Sequence, residues 1–325
     1  MCAQQEAWRI GSSLKLLIAL GGNAILQRGE KGTAEEQLAN VRASAKHVIK
    51  IVSKGHEVAL THGNGPQVGD ILLRSEVARD VVPPMPLDVC GAESQGMLGY
   101  MLQQGLESEA RVAGLSKCVV SMVTQTLVDP QDVAFSNPTK PVGPFYEERE
   151  SASLVANKGW KMVEDAGRGF RRVVPSPAPL EIVEGRVLKS LFDSGVLTIS
   201  AGGGGVPVVR EADGSLRGVE AVLDKDRTAA LLASTLAVDT LLILTDVSAV
   251  YTDYGKPTAR AVSTMSASEA EAYLGQGQFP AGSMGPKIES AVRFVRSGGS
   301  RAVISSLLQA EDALDGRAGT TITGP

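Results

Sequence analysis

The chain has 325 residues and a formal net charge of −4; 43% of it is hydrophobic, only 4% is aromatic, and 36 residues are glycine. That length buries a large core and exceeds what one core usually fills, so two lobes are expected in a compact α/β protein with many close-packed loops. The charge excludes a basic field for nucleic acid, the apolar runs fall far short of the roughly 20 residues that cross a bilayer, and residues 1–13 hold no signal-peptide hydrophobic region, all of which points to the cytoplasm.

Residues 15–20 read as a buried strand, and Gly21-Gly22-Asn23 follows at once as a turn. A helix begins at Thr33, which has capping-box spacing to Glu36. Apolar residues then recur at Leu38, Val41, Ala45, Val48 and Val52 until Gly55 stops it. Residues 56–60 form the next strand, ending in the loop Thr61-His62-Gly63-Asn64-Gly65-Pro66. The crossover contains a helix, so the two strands of this βαβ unit are parallel. Further helices are predicted at 88–108, 226–237, 268–274 and 286–295, and further strands at 118–123, 196–200, 241–244 and 302–305. Such alternation predicts a mainly parallel sheet with helices on both faces and ligands at the carboxyl ends of its strands. One stretch, about 129–179, breaks the rhythm with many Pro, Gly and charged residues; it reads as a solvated insertion or as a lid.

Three cysteines, Cys2, Cys90 and Cys118, show no CxxC spacing, so neither a disulfide framework nor a zinc site is indicated. His47, His56 and His62 are the only histidines, which leaves few candidates for a Ser/His/Asp or Cys/His enzyme. The glycines are more informative. Gly21-Gly22-Asn23, Gly63-Asn64-Gly65 and Gly202-Gly203-Gly204-Gly205 each follow a predicted strand. Backbone N–H groups in such turns can point at phosphate oxygens, and three on one sheet edge are hard to explain as unrelated turns. No GxxxxGK[ST] is present, which excludes a Walker-type P-loop. Gly63, Gly65 and Gly69 fit a loose dinucleotide pattern, but no ribose-binding carboxylate ends a strand about 20 residues on.

Phosphoryl transfer asks a protein mainly to position two reactants and neutralise spreading charge, so lysines can serve where histidines are scarce. Lys225 lies between Asp224 and Asp226 where a strand hands over to a helix, a place for an N-cap, a held ammonium or a metal contact. Lys287 follows Gly282-Ser283-Met284-Gly285-Pro286 at a predicted helix start, a favourable phosphate site. Lys140 lies in the proposed lid, and Thr245-Asp246-Val247 with Tyr251 could edge a nucleotide pocket.

Seven segments in this order resemble the amino acid kinase family, and within it the branch whose acceptor is carbamate. They are Ala19-Leu20-Gly21-Gly22-Asn23-Ala24, Gly63-Asn64-Gly65-Pro66-Gln67-Val68-Gly69, Asn137-Pro138-Thr139-Lys140-Pro141-Val142-Gly143, Glu164-Asp165-Ala166-Gly167-Arg168-Gly169, Asp224-Lys225-Asp226, Leu244-Thr245-Asp246-Val247 and Ala281-Gly282-Ser283-Met284-Gly285-Pro286-Lys287. The resemblance implies a three-layer αβα sandwich with a mainly parallel central sheet, two lobes and a protruding lid subdomain. Residues 1–13 would be an N-terminal extension, 14–215 the lobe for carbamate or carbamoyl phosphate with the lid at about 129–179, and 216–325 the nucleotide-binding lobe. It further implies Mg²⁺ carried with ATP or ADP, no metal site of the protein's own, a homodimer, and a place in arginine or agmatine breakdown.

By the same resemblance, Gly21, Gly22, Asn23, Gly63, Asn64 and Gly65 would bind the acceptor. Lys140, Lys225 and Lys287 would stabilise the transferred charge, with Asp226 organising the lysines. Gly203, Gly204, Thr245, Asp246, Val247, Tyr251, Met284, Gly285 and Pro286 would bind the nucleotide. Several relatives carry a lysine where this chain has Ala19, and Lys225 is expected to supply that charge. The alternatives are a family member with another, larger acceptor, or a nucleotide- or anion-binding protein without catalysis.

Overall fold

The computed structural model describes residues 13–165, 167–280 and 282–324. The expected N-terminal extension, apart from Ser13, lies outside the described residues, as do Ala166 and Ala281 of two motif segments.

The central sheet has eight strands. In chain order they are β1 (Lys15–Leu20), β2 (Glu57–His62), β3 (Val119–Ser121), β4 (Leu197–Ile199), β5 (Thr240–Thr245), β6 (Thr264–Ser266), β7 (Arg301–Ser306) and β8 (Thr320–Thr323). Across the sheet they run β6-β8-β7-β5-β1-β2-β4-β3. Only the β7–β8 pair is antiparallel; the others are parallel. The continuous apolar runs of the inner strands follow from burial on both faces. Side chains alternate, so Leu17 and Ala19 of β1 enter one core with Leu241, Ile243 and the helices Lys225–Leu236 and Met284–Arg296. Leu16, Ile18 and Leu20 enter the other, with the helices Ala34–Ser53 and Leu87–Val112. The result is the expected αβα sandwich.

The predicted elements recur with ends shifted by a few residues, and the Thr33/Glu36 capping box forms in both directions. One helix escaped the sequence reading. The loop expected through Gly65-Pro66 is instead the start of the helix Gly65–Val77. Pro66 suits a first helical turn, and Val68, Ile71 and Leu72 form its buried stripe; the glycines around them obscured the pattern.

The stretch at 129–179 is an ordered subdomain rather than a loop. It leaves a four-stranded second sheet after the strand Gln125–Val128 and rejoins it at the strand Pro179–Ile182, where Val128 pairs with Pro179. Between them lie a three-stranded antiparallel sheet, Lys140–Tyr146, Phe170–Val174 and Lys161–Glu164, and the helix Glu148–Lys158. This lid packs on the helix Gly65–Val77. Val142 and Val174 join Val68, Ile71 and Leu72 in one apolar cluster, and Lys158 pairs with Glu76. The backbones also approach: a β-carbon on Gly69 would lie 3.3 Å from the Gly143 Cα.

β1 to β4 come from residues before 215 and β5 to β8 from residues after it, so the β1–β5 pairing is the seam between the two halves. A lobe boundary at 215/216 would split a hairpin, because Val206–Arg210 pairs with Leu216–Gly218 across that turn. The seam is better drawn between Gly218 and the helix that starts at Lys225.

Candidate active site

The loops after β1, β2, β4 and β5 meet at the carboxyl edge of the sheet. Gly21 donates its N–H to the Leu244 carbonyl at 2.9 Å, and a β-carbon there would sit 3.0 Å from that oxygen. Gly63 is equally confined: a β-carbon would lie 3.3 Å from the Gly22 nitrogen and 3.6 Å from Lys225 Cδ. The first two glycine loops and the Lys225 stem are therefore in contact. Ala19 is fully buried in the core, and the Lys225 stem is the cationic side chain packed against Gly63 at this corner. Asn64 is buried and donates Nδ2–H to Ser94 Oγ at 2.7 Å, with Gly203 packed on its amide. Asn23 faces solvent on the short turn Gly22–Ala24.

The lysines are organised by two carboxylates rather than one. Asp224 caps the helix Lys225–Leu236, its Oδ1 accepting from the backbone N–H of Asp226 and Arg227 at 3.0 and 3.2 Å. Its Oδ2 accepts from Lys140 at 3.0 Å. Asp226, 4% exposed, accepts from Lys225 at 2.7 Å on one oxygen and from Lys287 at 3.1 Å on the other. Asp226 thus holds Lys225 and Lys287 as expected, whereas Lys140 is held by Asp224, the N-cap oxygen nearest the lid. Burial alone would push the Asp226 carboxyl up, but the two ammonium groups outweigh it and bring it to about 2.

Two cavities of about 220 Å³ each flank this cluster. The first is lined by Gly63, Asn64, Gly65, Gly203, Lys140, Arg171, Lys225 and Lys287 with Asp224 and Asp226, four cations against two carboxylates. It carries a net double positive charge and takes N-terminal residues of three helices, Gly65–Val77, Lys225–Leu236 and Met284–Arg296, an arrangement that suits a phosphate or carboxylate. The second is lined by the apolar and aromatic Val247, Tyr251, Tyr254, Phe279 and Met284 together with the polar Thr245 and Asp246. Ser283 and Lys287 line both, so Lys287 stands where the cavities meet.

Of the residues expected at the nucleotide, Thr245, Asp246, Val247, Tyr251 and Met284 share the aromatic cavity. Gly203 and Pro286 lie instead in the charged one. Gly204 is buried beneath Leu223, its carbonyl accepting from Thr126, because the four-glycine turn bends inward after β4; Gly285 packs on Pro280. Sequence reasoning missed Tyr254, Phe279 and Arg171; it foresaw an N-cap or a held ammonium at Asp224-Lys225-Asp226, but not that Asp224 holds the distant Lys140. A second tyrosine three residues beyond Tyr251 was a usable signal. An arginine in a segment read as loop was not.

His62 ends β2 beneath this edge, 1% exposed, with Nδ1 3.0 Å from the Gly63 carbonyl. Burial lowers it to about 4, the Gly63 carbonyl opposing and Lys225 assisting, so it is neutral near pH 7. The unfolded chain protonates this imidazole near its ordinary 6.5 and the folded one does not, so stability falls as pH drops from 6.5 to about 4. The loss is about 3 kcal/mol. His47 and His56 are also lowered by burial. Denaturant titrations of the wild type and His62→Gln across that window isolate the His62 share as their difference; parallel curves would refute it.

A family model for the amino acid kinase family matches residues 15–306. The chain is 50% identical over 311 residues to a carbamate kinase of Pyrococcus horikoshii, covering 95% of this chain and 99% of the relative. It is 51% identical to one of Thermococcus kodakarensis over 95% of this chain and 98% of that protein. A solved carbamate kinase from Giardia lamblia bound to AMP-PNP superposes with a TM-score of 0.91 at 49% identity, over 97% of this chain and all of that one (100%). Sequence, fold and the lysine-lined carboxyl edge of the sheet agree, and the chain belongs to the amino acid kinase family, among its carbamate kinases.

Proposed function

We propose that this chain catalyses reversible phosphoryl transfer between carbamoyl phosphate and ADP, giving carbamate and ATP. The observation that carries the reading is the convergence of Lys140, Lys225 and Lys287 on Asp224 and Asp226 where a charged cavity meets an aromatic one. A terminal β-phosphate oxygen of ADP attacks the phosphorus of carbamoyl phosphate in line, and the bond from phosphorus to the carbamate oxygen breaks. Carbamate leaves, and no covalent enzyme intermediate forms. The charge spreading over the transferred oxygens is met by ammonium groups already held in place, which costs no reorganisation during the step.

The backbone of Gly22 and of Gly63 to Gly65 orients carbamoyl phosphate, and the rings of Tyr251, Tyr254 and Phe279 receive the base. Mg²⁺ enters on the nucleotide phosphates, whose charge it partly neutralises. Among the described residues no group of three or more acidic, histidine or cysteine side chains could cage an ion, and Mg²⁺ commonly binds through substrate phosphates while keeping several waters. No described helix is long and apolar enough to cross a membrane, and Cys90 and Cys118 are free thiols, which fits our assignment to the cytoplasm. Following the family resemblance, we assign the reaction to the ATP-forming step of arginine or agmatine breakdown.

We further assign a homodimer to the surface beside β3. That strand is a sheet edge, and the adjoining helix Leu87–Val112 presents Tyr100 at 62% exposure next to the exposed Val123. Sedimentation at twice 33.9 kDa is the expected result, lowered to one copy by Tyr100→Glu.

The deciding experiment is ATP formation from ADP and carbamoyl phosphate with and without Mg²⁺, set beside ATP-dependent phosphorylation of acetylglutamate, aspartate and UMP. ATP is expected only with Mg²⁺ and carbamoyl phosphate. Turnover of one of the other acceptors in its place would transfer the chain to a different branch, and nucleotide binding without any turnover would make it a binding protein.

A further inference from the structure

The charged cavity contains a fourth cation, Arg171, that the mechanism above leaves without a task. It lies on Phe170–Val174, the middle strand of the lid sheet. Its guanidinium is fixed at two of its three nitrogens: Nε donates to the Gly143 carbonyl at 3.2 Å, and Nη1 donates to Asp165 Oδ2 at 3.1 Å. The ring of Phe145 supports it at 5.1 Å. Asp165 is held in turn by Arg168 at 3.1 Å, and by its own N–H to the Gly169 carbonyl at 2.9 Å. The hydrogen bond from Arg171 foremost, and that from Arg168, keep the Asp165 carboxyl below its usual range, hence ionised. Among the described residues, Nη2 of Arg171 makes no hydrogen bond.

An arginine held at Nε and Nη1, with Nη2 left over and a phosphate-sized cavity beside it, is preorganised for an oxyanion, because the Nη1/Nη2 end of its planar fork can meet two oxygens at once. We propose that Arg171 is a further binding residue for carbamoyl phosphate: Nη2 and the spare Nη1 hydrogen bind the oxygens of its carbamate or phosphoryl group, and Asp165 positions it. The assignment rests on the phosphoryl transfer proposed above. It gives the 164–169 motif a purpose, since that turn brings Asp165 to the guanidinium. Arg171 acts on carbamoyl phosphate rather than the nucleotide because it lines the cavity of Gly63, Asn64 and Gly65 and not that of Tyr251 and Phe279.

The test uses Arg171→Gln, Arg171→Lys, Arg171→Ala and Asp165→Asn in the ATP-forming direction. Loss of a charge-assisted, two-donor contact should raise KM for carbamoyl phosphate about 30-fold in Arg171→Gln. KM for ADP should stay within about twofold, since uniform binding is lost on one substrate only. Arg171→Lys, which keeps the charge without the fork, should recover part of the loss, and Asp165→Asn should shift the same KM in the same direction. Added guanidinium should restore turnover to Arg171→Ala, which a packing role would not allow. Unchanged KM for carbamoyl phosphate in a folded variant, or an equal rise in both KM values, overturns the proposal. Calorimetry with inorganic phosphate as the probe separates the two levels of inference. Should the wild type make no ATP from carbamoyl phosphate, the proposed function fails, while weaker phosphate binding by Arg171→Gln still supports Arg171 as the anion contact and equal binding removes it.

Discussion

Lys225→Ala is expected to lower kcat about 1000-fold while the protein remains folded. The ammonium is held by Asp226 at 2.7 Å, and its stem lies against Gly63 between the two glycine loops, so it is aimed before substrate arrives. Removing one preorganised charge from a phosphoryl-transfer site costs about 4 kcal/mol of transition-state stabilisation, the equivalent of that factor. The stability cost is smaller, about 1–2 kcal/mol, because Asp226 keeps Lys287 at 3.1 Å and loses one charge-assisted hydrogen bond of two. Steady-state kinetics and denaturant unfolding on one preparation compare the two losses. A variant with full turnover would remove Lys225 from the mechanism, and one that unfolds would make its role structural.

Asp226→Ala should damage both properties. It strands Lys225 and Lys287 in a largely buried site with no carboxylate between them, and breaking a buried pair from one side costs about 3–5 kcal/mol. The repelling ammonium groups also lose their aim, so kcat should fall at least about as far as in Lys225→Ala. The same residue predicts an acid limb. Its folded-state value, about 2, lies below the ordinary 3.8, so its contribution is present above pH 3.8 and is lost as pH falls toward 2. That portion is about 2 kcal/mol, less than the whole cost of the mutation because it excludes the stranded lysines. Unfolding free energy measured between pH 5 and 2 should slope more gently in Asp226→Ala than in the wild type. Identical slopes would mean that Asp226 is not the depressed carboxylate.

The fold was legible where local physics dominates. The run Leu16 to Leu20 declares a doubly buried strand by having no polar face, and Thr33 with Glu36 declares a helix start through hydrogen bonds four residues wide. The helix Gly65–Val77 was not legible, because its glycines break the apolar pattern and its stripe packs on distant partners, the lid strand and the helix Leu87–Val112: Gly69 lets Gly143 approach, and only the folded chain shows the two together. The lid sheet was hidden for a related reason. Its strands carry prolines and charged residues that read as loop, and they are ordered by pairing with one another and by Val142 and Val174 packing on a distant helix.

By itself the sequence determined the α/β alternation, the glycine loops at strand ends, the scarcity of histidine and the lysines that carry the family pattern. Each of these is a property of a few neighbouring residues, or of a motif string, and survives without a third dimension. Only the tertiary structure decided which carboxylate serves which lysine, that Gly203 and Pro286 face the charged cavity, and that Arg171 shares it. Those are relations across long stretches of chain, such as Lys140 with Asp224 or Lys287 with Asp226, and the separation of charges in space is set by the sheet order rather than by spacing along the chain.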